Sequence, residues 1–232
     1  MKRSYEKEMM DLPGQPRELL EQDLRNLRVI NRYLGGAANV VRGLRRAVGS
    51  HELESFSLLD VATGSADIPL AVLAWAKKNR IGARIVACDA DPVTAENAAA
   101  LCGRVPEITV MRADAFAPPC APESFDFVLA SQFLHHFPEP QIVALLKSWS
   151  QVARKAIIVS DLVRHPLAYY GISLLARVCT SNVMTLTDAP LSVKRAFTVA
   201  EWRELLHEAG VGPFQLFAGV PFRVMALISP RG

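Results

Sequence analysis

The chain of 232 residues has no excess of one charge, few aromatics and no cysteine pair, and each shortage removes a class of protein. Lys plus Arg number 26 against 23 Asp plus Glu, a formal net charge of +3. That is too small for a general nucleic-acid binder, so no nucleic-acid partner is expected. The four cysteines, Cys88, Cys102, Cys120 and Cys179, form no CxxC pair, and no histidine stands at zinc-finger spacing. Neither a metal cage nor a disulfide framework is indicated, no metal site is expected, and a reducing cytoplasm suits this usage. The opening MKRSYEKEMMDLPGQP lacks the apolar stretch of a signal peptide, so export is not expected. The most apolar run, Leu58 to Ala76, contains Asp60, Gly64, Asp67 and Pro69. Two carboxylates in hydrocarbon are costly, so the run reads as a buried strand, a turn and a helix, with no membrane span.

What is present is a globular balance: 50% hydrophobic and 21% charged residues in a length suited to one large domain, or one domain with an appendage. Leu19, Leu20, Leu24, Leu27 and Ile30 recur at helical spacing, and Val40, Val41, Leu44 and Val48 do so again after Gly35-Gly36. Residues 1–50 are therefore expected to be a helical extension of two helices. From Ser57 the rhythm changes to short β-rich runs separated by helical segments: SLLDVA, RIVAC, ITVMRA, SFDFVLAS and KAIIVS. That alternation predicts an α/β fold with a parallel sheet, and runs such as LLDVA suit strands covered on both faces. A helical insertion at about 164–195 follows, then a helix from Thr198 to Ala209 and a closing strand pair, FQLFAG and PFRVMALIS.

The residues with chemical promise stand at the carboxyl ends of the predicted strands, where ligands bind in open α/β sheets. In LLDVATGSADIP, Ala62, Gly64, Ser65 and Ala66 supply little bulk, Asp67 can cap the next helix, and that helix start favours an anionic group. Asp89, at the end of RIVACDADP, is 25 residues beyond Gly64 (89 − 64), close to the interval across one βαβ unit. A carboxylate there can accept both hydroxyls of a ribose. Asp114 follows the third strand, and Ser131 ends the fourth, just before Gln132, Phe133, His135 and His136.

In this ordered set the chain resembles the class I S-adenosylmethionine-dependent methyltransferases, from Leu58 to Ile228. LLDVATGSADIP looks like that family's nucleotide-binding loop, CDADP like its acidic loop after strand two, RADAF like its adenine-contacting segment, and SFDFVLASQFLHHF like its fourth motif. The resemblance is nearest to the ubiquinone and menaquinone methyltransferases, with some likeness to bacterial O-methyltransferases. It implies a Rossmann-like, seven-stranded, mostly parallel sheet with a C-terminal antiparallel hairpin in a domain spanning 51–232. It also implies that the N-terminal extension and the 164–195 insertion act as lids. S-adenosyl-L-methionine is the implied cofactor. By position, Asp60 and Gly64 would help hold its methionine part, Asp89 the ribose and Asp114 the adenine amino group, with Ser131 beside the sulfonium; Ala62, Asp67, Ala90 and Ala115 would complete the cofactor site. The family usually has three glycines in the first turn, whereas positions 62 and 66 are alanine. Alanine is disfavoured at positive φ, so both are expected at negative φ.

A small, aromatic or quinone-like acceptor is expected, methylated on oxygen in preference to carbon. His135, His136 and His165 are the candidate bases for its proton. Tyr169, Tyr170, Leu174, Leu175 and Met184 are candidate acceptor contacts, and Tyr33 a candidate for closing the cleft from the other side. Two rivals remain: an NAD-dependent oxidoreductase, disfavoured by one glycine where GxGxxG needs three, and a cofactor-binding protein without catalysis. Oligomeric state is not readable from the sequence.

Overall fold

The computed structural model describes residues 1–49 and 53–230. Two helices open the chain, α1 (Arg17–Tyr33) and α2 (Gly36–Gly49). They meet at Gly35, whose φ of +77° suits a residue without Cβ, and whose Cβ position lies 2.7 Å from the Val220 carbonyl oxygen. The expected boundary at 50–51 falls outside the described residues.

Alternation of strand and helix then follows: β1 (Ser55–Val61), α3 (Asp67–Lys78), β2 (Gly82–Asp89), α4 (Pro92–Cys102), β3 (Ile108–Arg112), β4 (Phe125–Ser131), α5 (Glu139–Val152) and β5 (Ala153–Leu162). The insertion is two helices, α6 (Pro166–Cys179) and α7 (Val183–Arg195). The chain closes with α8 (Val199–Ala209), β6 (Phe214–Gly219) and β7 (Arg223–Ile228). The sheet order is β3-β2-β1-β4-β5-β7-β6, parallel except for β7, which runs against both β5 and β6. The sequence expectation of a mostly parallel seven-stranded sheet with a terminal antiparallel hairpin therefore holds.

Both faces of the sheet are covered, which explains the unbroken apolar runs. Leu58 and Leu59 are adjacent, point to opposite faces and are both fully buried. Leu58 packs with Val40, Leu44, Val72 and Trp75 of α2 and α3, and Leu59 with Ile142, Trp149 and Trp202 of α5 and α8. Helix starts read as the sequence writes them. Asp91 accepts from the Thr94 backbone N–H before α4, and Thr198 and Glu201 form a reciprocal capping box at α8.

The order reverses between β1 and β4, so the crevice of this sheet opens at the carboxyl ends of those strands. Residues before α1 close over it. The Ser4 N–H donates to the Lys194 carbonyl, and Met9 and Met10 N–H groups donate to Asp188 at 2.8 and 3.0 Å. Helix α1 holds down this covering layer through a small apolar cluster of Leu20, Leu24 and Met184.

Candidate functional site

A cleft of about 880 Å³ lies above the carboxyl ends of β1, β2 and β4, roofed by the N-terminal segment, α1 and α7. That is ample for a cofactor and a small second molecule. Its floor begins at Asp60, which ends β1 with only 2% exposure and has one carboxylate oxygen, Oδ2, without a hydrogen-bond partner. Burial, reinforced by the charges of Asp67 and Asp89, pushes Asp60 up to about 7. Asp89 accepts from the backbone N–H of Gly64 at 3.0 Å and of Asp91 at 3.1 Å, so it holds the first loop against the second. Its pKa is pushed up to about 6 because burial outweighs those hydrogen bonds.

The loop between β1 and α3 corrects one expectation. Ala62 and Ala66 have φ of 53° and 57°, the left-handed region, alongside Gly64 at 57°. The chain keeps the backbone of a three-glycine turn while placing methyl groups on two of its positions, at a steric cost of roughly 1–2 kcal/mol each. At Gly64 nothing lies within 4 Å of where a Cβ would stand. Asp67 does not cap α3. It instead accepts from Ser65 Oγ at 2.9 Å and Asn31 Nδ2 at 3.1 Å. Asn31 also accepts from Gln132 Nε2, so one α1 side chain ties the first loop to the loop after β4.

Asp60, Ala62, Gly64, Asp67, Asp89, Ala90 and Ser131 all line the cleft. Asp114 and Ala115 do not. Asp114 is exposed and turns back to accept from the Phe116 N–H at 2.9 Å, while Ala115 is buried in the core. The histidines divide likewise. His135 and His136 line the cleft, but His165 does not: its Nδ1 accepts from the Leu167 N–H at the start of α6, and its ring stacks on Phe222. The expected acceptor contacts on α6 and α7 are also displaced. Tyr170 and Leu174 face outward, Met184 is in the small core under α1, and Tyr33 is exposed. The insertion reaches the cleft instead through Asp188, Ala189, Ser192 and Arg195.

At this end the structure assembles a charged cluster that the sequence did not signal. The His135 Nδ1 lies 2.7 Å from Asp161 Oδ1, and the His135 backbone N–H donates to Asp161 Oδ2. Glu8, from the covering N-terminal segment, stands 3.6 Å from His135 Nε2. Burial alone would depress the His135 pKa, but the carboxylates of Asp161 and Glu8 overcome it and carry it up to about 10. Asp11 accepts from His136 Nδ1 at 2.8 Å. Arg195 donates to the His135 and His136 carbonyls, orienting the turn that carries both rings. Glu8 and Asp161 are far in sequence from the histidines, and no spacing pattern links them.

Residues 58–156 match the family model of a methyltransferase domain. Over that stretch the chain is similar to methyltransferase domains, and the sheet around it has the fold of solved methyltransferases. Its fold is shared over all of the chain with human N-acetylserotonin methyltransferase in complex with S-adenosylmethionine, at 16% identity and a TM-score of 0.67 over 63% of that protein. An O-methyltransferase family 2 protein from Planctomyces limnophilus, in complex with apigenin, matches 94% of this chain and 63% of its own at 21% identity and a TM-score of 0.61. The CurJ carbon methyltransferase matches 91% of this chain and 59% of its own at 12% identity and a TM-score of 0.67. The chain thus spans about three fifths of the length of these relatives. No curated protein matches its sequence. Among the described residues, no helix is long and apolar enough to cross a membrane.

Proposed function

We propose that this chain transfers a methyl group from S-adenosylmethionine to a hydroxyl oxygen of a small, flat acceptor. The observation that carries the reading is one continuous cleft with two chemically different ends. At one end lie Asp60, Gly64 and Asp89; at the other lie Glu8, His135 and His136, with Ser131 and Gln132 between.

The first end fits the cofactor. Asp60 Oδ2 and Ser131 Oγ are buried polar atoms without partners, and such atoms are costly unless a ligand satisfies them. The open space at Gly64 admits a ligand to the backbone, and the acidic floor suits a molecule bearing ammonium and sulfonium charges. Asp60 would meet the methionine ammonium, Asp89 the ribose hydroxyls, and Ser131 the neighbourhood of the sulfur. When bound, the cofactor supplies an electrophilic methyl group. The chain's own work is to hold an oxygen in line with it and exclude water, which the segment before α1 does by covering the cleft. Asp114, outside the cleft walls, is left to the edge of the adenine site, whereas Ala115, buried in the core, does not reach it.

The second end fits the acceptor. Leu20, Leu24, Phe133 and Phe137 give it apolar walls suited to an aromatic or quinone-like ring. A hydroxyl there meets imidazole nitrogen and carboxylate together; His135, carried up to about 10, holds its own proton, so the hydroxyl's proton passes to Glu8 or His136. Oxygen is taken as the nucleophile because a hydroxyl presents the attacking atom and its acidic proton to the cluster together. The N-terminal segment with α1, and the 164–195 insertion, would be the lids.

Calorimetric titration with S-adenosylmethionine and with NADH tests the cofactor, and radiolabelled methyl transfer to a panel of phenols, quinols, carboxylic acids and carbon acids tests the acceptor. Saturable binding of S-adenosylmethionine and labelling of the hydroxyl compounds are expected. Saturable NADH binding with none of S-adenosylmethionine would overturn the reading, and labelling of carbon acids alone would overturn the choice of oxygen.

A further inference from the structure

Glu8 comes from the covering N-terminal segment and His135 and His136 from the turn after β4, yet their ligand atoms all lie within 4.8 Å of one another. His135 Nε2 is 3.6 Å from Glu8 Oε1, and His136 Nε2 is 3.8 Å from Glu8 Oε2. Both distances are too long for hydrogen bonds. They are a little longer than the roughly 3.0–3.4 Å between two ligand atoms that each stand about 2.1 Å from a shared divalent ion.

Two further observations are independent of that spacing. Glu8 and His135 are almost wholly buried, and Glu8 Oε1 and His135 Nε2 are both without a hydrogen-bond partner while facing each other. In addition, each ring has its other nitrogen on a carboxylate: His135 Nδ1 on Asp161 at 2.7 Å, His136 Nδ1 on Asp11 at 2.8 Å. A carboxylate accepts, so each Nδ1 carries the proton. That is the outer arrangement that orients metal-binding imidazoles and raises their basicity.

We propose that Glu8, His135 and His136 bind one divalent transition-metal cation of the zinc class, in the cleft and next to the acceptor. Two imidazoles and one carboxylate are a common ligand set for such ions, and three protein ligands leave a coordination position free. The consequence for catalysis rests on the methyltransferase reading. An acceptor hydroxyl taking that position ionises near neutral pH: the O–H bond breaks, the electron pair stays on the oxygen, and the proton leaves to water. The ion's binding does not rest on that reading.

The test uses the full chain, free of affinity tag and stripped of metal, titrated calorimetrically with zinc chloride, with cobalt(II) as a visible-absorption probe. One equivalent of zinc should bind saturably, and cobalt(II) should develop the visible bands of a low-coordinate site. Glu8→Gln and His136→Ala, checked for folding by circular dichroism, should each weaken zinc at least tenfold and abolish the cobalt bands. No saturable binding up to millimolar zinc would overturn the site, and so would binding unchanged in both variants. Nitrogen-15 spectra showing both rings doubly protonated at neutral pH, and unmoved by zinc, would overturn it as well. S-adenosylmethionine titrations of the same samples keep the two readings apart, since the cofactor end shares none of these residues.

Discussion

The two ends of the cleft are built in opposite ways. The cofactor end is made of loops that each follow one strand, so its carboxylates Asp60 and Asp89 are placed by the sheet register, with Asp60 opposite Ala87 and Asp89 opposite Arg112. The acceptor end is assembled from Glu8, Asp11, His135, Asp161 and Arg195, drawn from four separate segments and held by buried ion pairs. One end is inherited from strand order, while the other exists only once the chain's start has folded back over α7. The two should therefore respond differently to mutation: the acceptor end in stability, the cofactor end in affinity.

The largest effect is expected at the acceptor end. Asp161→Ala removes one partner of a buried pair and leaves the His135 Nδ1–H without its acceptor beside an apolar gap, a change that costs about 3–5 kcal/mol. Urea unfolding measures it, and a loss under about 1 kcal/mol would show that this end is as loosely coupled as a surface ion pair. At the cofactor end, Asp89→Ala should weaken S-adenosylmethionine binding by about 1–3 kcal/mol through lost charge-assisted hydrogen bonds. Calorimetry measures that directly, and unchanged affinity would remove Asp89 from the site.

The same contrast explains what was legible beforehand. The alternation of strand and helix, the closing strand pair and the two N-terminal helices were readable because hydrophobic rhythm and turn residues are local signals. So were Asp60, Gly64 and Asp89, whose spacing follows the βαβ unit. Asp114 was placed correctly at the end of β3, but whether a side chain turns to the cleft or back to its own backbone depends on local geometry that spacing does not carry. Tyr170 and Leu174 misled because an apolar stripe tells that a face is apolar, not which neighbour it meets. Glu8 and Asn31 gave no signal: each is one polar residue among many on a solvated-looking stretch, given its role by contacts more than 100 residues away in sequence.

Acidity sharpens the comparison further. Asp60 at about 7 and Asp89 at about 6 are held above the ordinary aspartate value of 3.8. Above those values both are ionised and complement a cationic ligand. Affinity for S-adenosylmethionine should therefore climb between about pH 5.5 and 7.5 and level off beyond, by about tenfold per pH unit for each group that must ionise. Stability of the ligand-free protein should move the other way. The native state retains protons that the unfolded chain has already released, so stability falls as pH rises from near 4 to near 7. Titration calorimetry and urea unfolding across this range check both slopes, and parallel slopes would mean that the two aspartates are not the groups responsible.

The smallest effect tests the strained loop itself. Ala62 and Ala66 sit at φ of 53° and 57°, where an L side chain crowds the following carbonyl. Replacing either with glycine relieves roughly 1–2 kcal/mol in the folded state. It also frees the unfolded chain, which returns roughly 0.4–1 kcal/mol of that gain. The sum leaves Ala62→Gly and Ala66→Gly each more stable, by up to about 1 kcal/mol, a shift visible in the urea midpoint at unchanged slope. Ala66 is wholly buried whereas Ala62 faces the cleft, so removing the Ala66 methyl also gives up packing. The Ala62 variant should therefore gain more. If the order reverses, the Ala66 position carries the greater strain, and the tightness of the turn against α3 rather than the approach of a ligand is what shapes it.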